Sequence, residues 1–171
     1  MKKIYLLLLI LTCFPISAVS QNFQDVLGRN DDIDMVIVTK EMFELITEID
    51  SDNKADMKSF YGSLNFLESF STINPDAARL INDAAEKYIR SHGMKLLTKI
   101  KDQRKTAELY YIPGKEKGYA KELLILINYA SGKTGLLYVK GQINMRKISL
   151  LAIQSTGLDR TILKQAENSV K

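Results

Sequence analysis

The chain has one histidine, His92, and one cysteine, Cys13, so nucleophile–base pairs and thiolate clusters have few places to form. His92 lies in the segment RSHGM at the expected end of a helix. A histidine followed by glycine there reads as a C-terminal cap interacting with the helix dipole, in preference to a triad base. Zinc would need several carboxylates besides, and no helix-spaced set resembles such a site. Ser131 to Gly135, SGKTG, matches the end of a phosphate-binding loop. That motif also requires a glycine where Ile127 stands and a helix where LLYVKG follows, so the segment reads as a hairpin turn. DSDNKAD has the spacing of a calcium loop at Asp50 and Asp52. Lys54 takes a ligand place, Ala55 that of the required glycine and Tyr61 that of the bidentate glutamate, which leaves a solvated linker. No catalytic residue, metal ligand or cofactor is expected from spacing; a carboxylate pair assembled by the fold is the catalytic arrangement left open.

The surface feature most suggestive of a partner is KLLTKIKDQRK, where Lys99, Lys101, Arg104 and Lys105 cluster around one hairpin with Tyr110 close behind. It suits an anionic partner such as an acidic protein face or phospholipid. Lysines on an edge hairpin also serve to prevent strand-to-strand aggregation, and that account competes with the first. Tyr119, Tyr129 and Tyr138 add aromatic surface on the neighbouring strands.

These residues need a scaffold, and the apolar periodicity supplies one. Ile33 to Thr39 is a β-branched run, and Met42, Leu45, Ile46 and Ile49 then recur at helical spacing. Met57, Phe60, Tyr61 and Leu64 share a further helical face, and NFLESFST reads as a second strand. Asn74-Pro75-Asp76 is a strong helix start, with a capping side chain, a proline where no N–H is needed and an acid at the positive end of the dipole. That helix stops at Gly93. Four β-like runs follow, broken by DQR, GKEKGY and SGKTG, as in an antiparallel meander. Asn144 is placed to cap a helix through Met145, Ile148, Leu151 and Ala152, and Asp159 to open a last one.

The expectation is an α+β domain with one mixed or mostly antiparallel sheet, in the order β-α-β-α-β-β-β-β-α-α. In ELLILIN both alternating sets are apolar, so this strand needs cover on both faces, from helices or from a second subunit.

The N-terminus has the form of an export signal. Lys2 and Lys3 precede an uncharged apolar run too short to span a bilayer, and Ala18-Val19-Ser20 before Gln21 gives an A-x-A-like cleavage site. Residues 1–20 are then a signal peptide and 21–171 a single domain, periplasmic or secreted. The alternative is a lipoprotein anchored through Cys13. Against it, Thr12 is bulkier than the small residue that should precede an acylated cysteine, and Phe14-Pro15 gives no polar tether. Either way, one cysteine forms no disulfide within a chain. With two of the 24 basic residues gone against 20 acidic ones, the net charge falls from +4 to +2, which argues against a nucleic-acid partner.

DMVIVTKEMFELI, MKLLTKIKD and KELLILINYASGKTGLLYVKGQINMRKISLLA, following such a signal, resemble the domain of unknown function family 4252. The resemblance implies a small exported envelope protein of Bacteroidetes-type bacteria, of genes often found beside extracytoplasmic-function sigma factors. It brings no catalytic residues. Many relatives carry an aspartate in the stretch where Gln142 and Asn144 stand here. The expected function is non-enzymatic: a binding or regulatory accessory protein with a membrane-protein partner or a second copy of itself, tied to envelope stress signalling. A small hydrolase with a fold-assembled carboxylate pair and a binder of anionic lipid are the alternatives.

Overall fold

The computed structural model describes residues 22–49, 55–148 and 160–169. The expectations for the signal segment, for Asp50 to Lys54 and for Leu151, Ala152 and Asp159 fall outside these residues. The elements run α1 (Phe23–Leu27), β1 (Asp34–Thr39), α2 (Lys40–Ile49), α3 (Ala55–Gly62), β2 (Leu64–Thr72), α4 (Pro75–Ser91), β3 (Lys95–Lys101), β4 (Lys105–Pro113), β5 (Tyr119–Tyr129), β6 (Thr134–Asn144) and α5 (Arg160–Asn168). The fold is α+β, with one six-stranded antiparallel sheet in the order β1-β2-β6-β5-β4-β3.

Two corrections to the expected order follow. The polar lead-in contains α1, whose five residues are too few to show helical periodicity. The further helical face expected at Met57, Phe60 and Tyr61 is α3, a separate helix where the expected order counts one, and Leu64, read as part of that face, is the first residue of β2. Asn144 caps through its Oδ1, which accepts from the Arg146 N–H at 3.0 Å, and residues 145–148 form a 3₁₀ turn.

β3 to β6 is the expected meander, and β2 joins it at the β6 edge. The chain therefore has to cross from β2 to β3, four strand spacings away, or roughly 19 Å. α4, with 17 residues, is about 26 Å long and makes that crossing. Its start is fixed by Asn74, whose Oδ1 accepts from Asp76 N at 2.8 Å and Ala77 N at 3.2 Å. Its end closes in a Schellman turn: Met94 N donates to Ile89 O at 3.0 Å across Gly93, which takes the left-handed φ of 60°.

Both faces of the sheet are covered from within the chain. On one, Leu67, Leu109, Leu123, Ile125 and Val139 meet Phe43 of α2 and Phe60 and Tyr61 of α3, with Met145, Ile148 and Ala166 in the same cluster. On the other, Phe70, Leu124, Leu126, Leu136 and Tyr138 meet Phe23 and Leu27 of α1 and Ala77, Ile81, Ala85 and Tyr88 of α4. Those α4 residues are spaced four, four and three apart, one stripe of the helix. The two apolar sets of β5 thus find their layers without a second subunit.

Candidate functional site

The chemistry-bearing side chains gather on the face covered by α1 and α4. β5 contributes Glu122, two residues before Leu124 on the same side of the strand; β6 contributes Tyr138 and Lys140; β2 contributes Glu68, two residues before Phe70. α4 adds Tyr88, at the end of its buried stripe. The Tyr88 and Tyr138 hydroxyls both reach Glu122 Oε2, at 2.9 and 2.8 Å, and lie 2.5 Å from each other. Two hydroxyl protons are shared among three oxygen–oxygen contacts, so the two hydroxyls compete and are coupled to each other. Burial comes first in holding both tyrosines well above the usual phenol range.

Glu68 stands apart. It is 0% exposed, and neither carboxyl oxygen has a hydrogen-bond partner. Desolvation pushes its pKa up to about 7; Lys140 opposes this and Asp25 of α1 adds to it. The group above it is aromatic. The Phe23 ring lies 4.8 Å from Tyr88, 5.3 Å from Tyr138 and 6.3 Å from Phe70, which makes α1 a plug seated by one phenylalanine. Lys140 keeps its ammonium 5.3 Å from the Tyr138 ring. The arrangement can store a proton on Glu68 and hold Glu122 in a fixed hydrogen-bonded pose. Glu68 is fully buried beside α1 and Glu122 lies beneath Tyr88 of α4, so α1 would have to lift before a substrate reached Glu68.

Sequence reasoning passed over Glu68 and Glu122 and took Tyr138 for surface; it is 2% exposed. The signal was present: each glutamate shares its strand side with apolar residues, Phe70 for one and Leu124 and Leu126 for the other.

The basic hairpin is divided. Lys99 pairs with Glu108 directly across the β3–β4 ladder, and the Tyr110 hydroxyl donates to Glu108 at 2.8 Å. The hydrogen bond from Lys99 leads in lowering the Glu108 pKa, while burial and Glu108 push that of Tyr110 up to about 12. Lys101 and Arg104 are exposed near the turn. Asp102 shapes that turn, accepting from Arg104 N at 2.7 Å and Lys105 N at 2.9 Å. Lys105 is 9% exposed and shares a face with Ala107 and Leu109, opposite that of Tyr110. Structure thus joins Lys99 to Tyr110 through Glu108 and separates Lys105 from them.

His92 caps α4. Its backbone N–H donates to Tyr88 O at 3.0 Å and its ring stacks on Tyr88 at 3.8 Å. SGKTG is the β5–β6 hairpin turn, with Gly132 at φ 89°. Among the described residues no group of three or more His, Cys, Asp or Glu is placed to hold a metal ion, and no helix is long and apolar enough to cross a membrane.

The sequence profile of the family described as Domain of unknown function (DUF4252) matches residues 24–151. No curated protein and no solved structure matches the chain.

Proposed function

This chain belongs to the DUF4252 family, and from that premise we propose that it is a non-enzymatic protein of the cell envelope, acting as a binding or accessory partner of a membrane-embedded signalling system. The observation that carries this reading is a contrast in exposure. Glu68 and Glu122, the acids that could do chemistry together, are 0% and 6% exposed. Large apolar side chains, meanwhile, stand in solvent on β1 and its flanking helices: Val26, Met35, Val36, Met42 and Leu45, each between 39% and 51% exposed. Exposed apolar groups collected at one edge are what a protein partner covers. The β3–β4 hairpin, with Lys101 and Arg104, is the candidate for an anionic contact at the far edge.

The test is crosslinking in the native cells through a C-terminal tag, with mass spectrometry of what is captured and of the bait's own N-terminus. One reproducible membrane-protein partner is expected; capture of neither a partner nor a second copy overturns the reading. A bait beginning at Gln21 supports cleavage, and a lipidated Cys13 supports anchoring.

A second reading, a hydrolase, draws on the unpartnered oxygens of Glu68. It requires α1 to open, and it predicts turnover of ester or glycoside probes that Glu68→Gln abolishes.

A further inference from the structure

The two ends of the sheet are built differently. β3, one edge, carries Lys95, Lys99 and Lys101 in exposed positions and a bulge between Leu96 and Thr98, the usual protections against pairing with another chain. β1, the other edge, has the sequence DMVIVT, with no lysine, no proline and an unbroken register against β2. Among the described residues no strand pairs with its outer side. Met35 and Val36 point to opposite faces of the sheet, at 39% and 42% exposure. On one face Met35 lies by Gly28, which follows the helix bearing Val26. On the other, Val36 precedes α2, whose Met42 and Leu45 are each 51% exposed while Phe43 faces the core.

We propose that β1 pairs antiparallel with β1 of a second copy of this chain, joining two six-stranded sheets into one across a two-fold axis at Ile37. Charge selects this occupant. Residues opposite each other in an antiparallel pair share a face, so a strand pairing with itself must match even positions to even and odd to odd. Centred on Ile37, Val36 meets the second copy's Val38, Met35 meets its Thr39, and Asp34 meets its Lys40. By symmetry the acid–base pair occurs twice. The acid stands at the head of the strand and the base just past its tail, the order self-pairing needs. Lys40 is free to exchange its present partner: its contact with Glu44, at 3.6 Å, joins side chains that are 57% exposed on both sides. The apolar residues flanking the edge, Val26 on one face and Met42 and Leu45 on the other, widen the contact beyond the ladder.

This narrows the binding reading above to one edge and one occupant, and pure protein tests it without reference to any cellular partner. The full protein is studied by sedimentation equilibrium at rising concentration. A dimer is expected, and Val36→Lys should return it to monomer with its circular dichroism and melting unchanged. Asp34→Lys alone and Lys40→Asp alone each place like charges at both ends, raising the dissociation constant roughly tenfold. Mixed in equal amounts, these two variants should form a heterodimer, because every such pair is again opposite in sign. A monomer at all concentrations overturns the proposal. So does a dimer indifferent to the Val36 and charge substitutions, or a mixture no tighter than its components. The mixing experiment keeps the test intact if Val36→Lys fails to fold.

Discussion

Glu68 lies directly opposite Tyr138 in the register of β2 and β6, and the Tyr138 hydroxyl donates to Glu122 instead of to Glu68. One tyrosine proton therefore satisfies one buried acid and leaves the other without a donor. The cost falls on the ionised form of Glu68, which is why its pKa rises to about 7.

A raised carboxyl pKa makes folding take up a proton. The Glu68 contribution is fully present below the unfolded value of 4.5 and is lost as pH rises through about 7. Stability of the wild type should thus decline between these limits by at most roughly 3 kcal/mol. Glu68→Gln should flatten that slope and melt higher than wild type at pH 8. Thermal melts from pH 4 to pH 8 check it; a wild-type slope retained in the variant would assign the effect elsewhere.

The tyrosine triangle should behave as a unit. Tyr88→Phe and Tyr138→Phe each remove a donor from buried Glu122 and should cost about 1–3 kcal/mol in urea unfolding. The double variant should depart from the sum of the two, since the hydroxyls also touch each other. In alkaline titration by ultraviolet absorbance, these two phenols should ionise only as the protein unfolds, their pKa values being held above the ordinary range.

Phe23→Ala tests the seat of α1. The ring is 2% exposed and touches Phe70, Tyr88 and Tyr138, so truncation should cost on the order of 3 kcal/mol. It should also let water approach Glu68, lowering that acid's titration midpoint. A shallower pH dependence of stability, together with faster amide exchange in β2, would show it.

Gly141 is a point of close backbone approach. Its φ is 149°, and a Cβ there would sit 2.5 Å from Ser63 O and 2.8 Å from Leu64 Cα. Gly141→Ala should destabilise by about 1–3 kcal/mol through strain and the forced parting of β2 from β6. Gly132→Ala, at a φ of 89° with open space around it, should cost less. Paired denaturation curves measure the difference.

The long regular elements were legible because each has a local physical cause. Asn74-Pro75-Asp76 starts α4 where it should, and the alternation from Lys95 to Asn144 breaks at the turns that the chain uses. The double apolarity of β5 correctly demanded two covering layers, though not which elements supply them. What remained hidden depends on neighbours distant in sequence. α1 is held by Phe23 against residues 47 to 115 positions later, and nothing within its five residues announces a helix. Glu122 reads as an ordinary strand glutamate until α4 brings Tyr88 over it. The basic residues of the β3–β4 hairpin looked like one cluster because proximity in sequence hides strand alternation, which sends Lys105 to the opposite face from Lys99.

The strand order has a consequence for the order of synthesis. Among the described residues β2 has partners only in β1 and β6, and β6 is the last strand to be made. The first hundred-odd residues therefore emerge before the seam that will bind β2 to the meander exists. Throughout that interval Leu67, Phe70 and the aromatic side chains of α1 and α3 have only their own half of the chain to shelter against. A holding chaperone would find its longest opportunity there, and it would be dismissed by the arrival of a single strand.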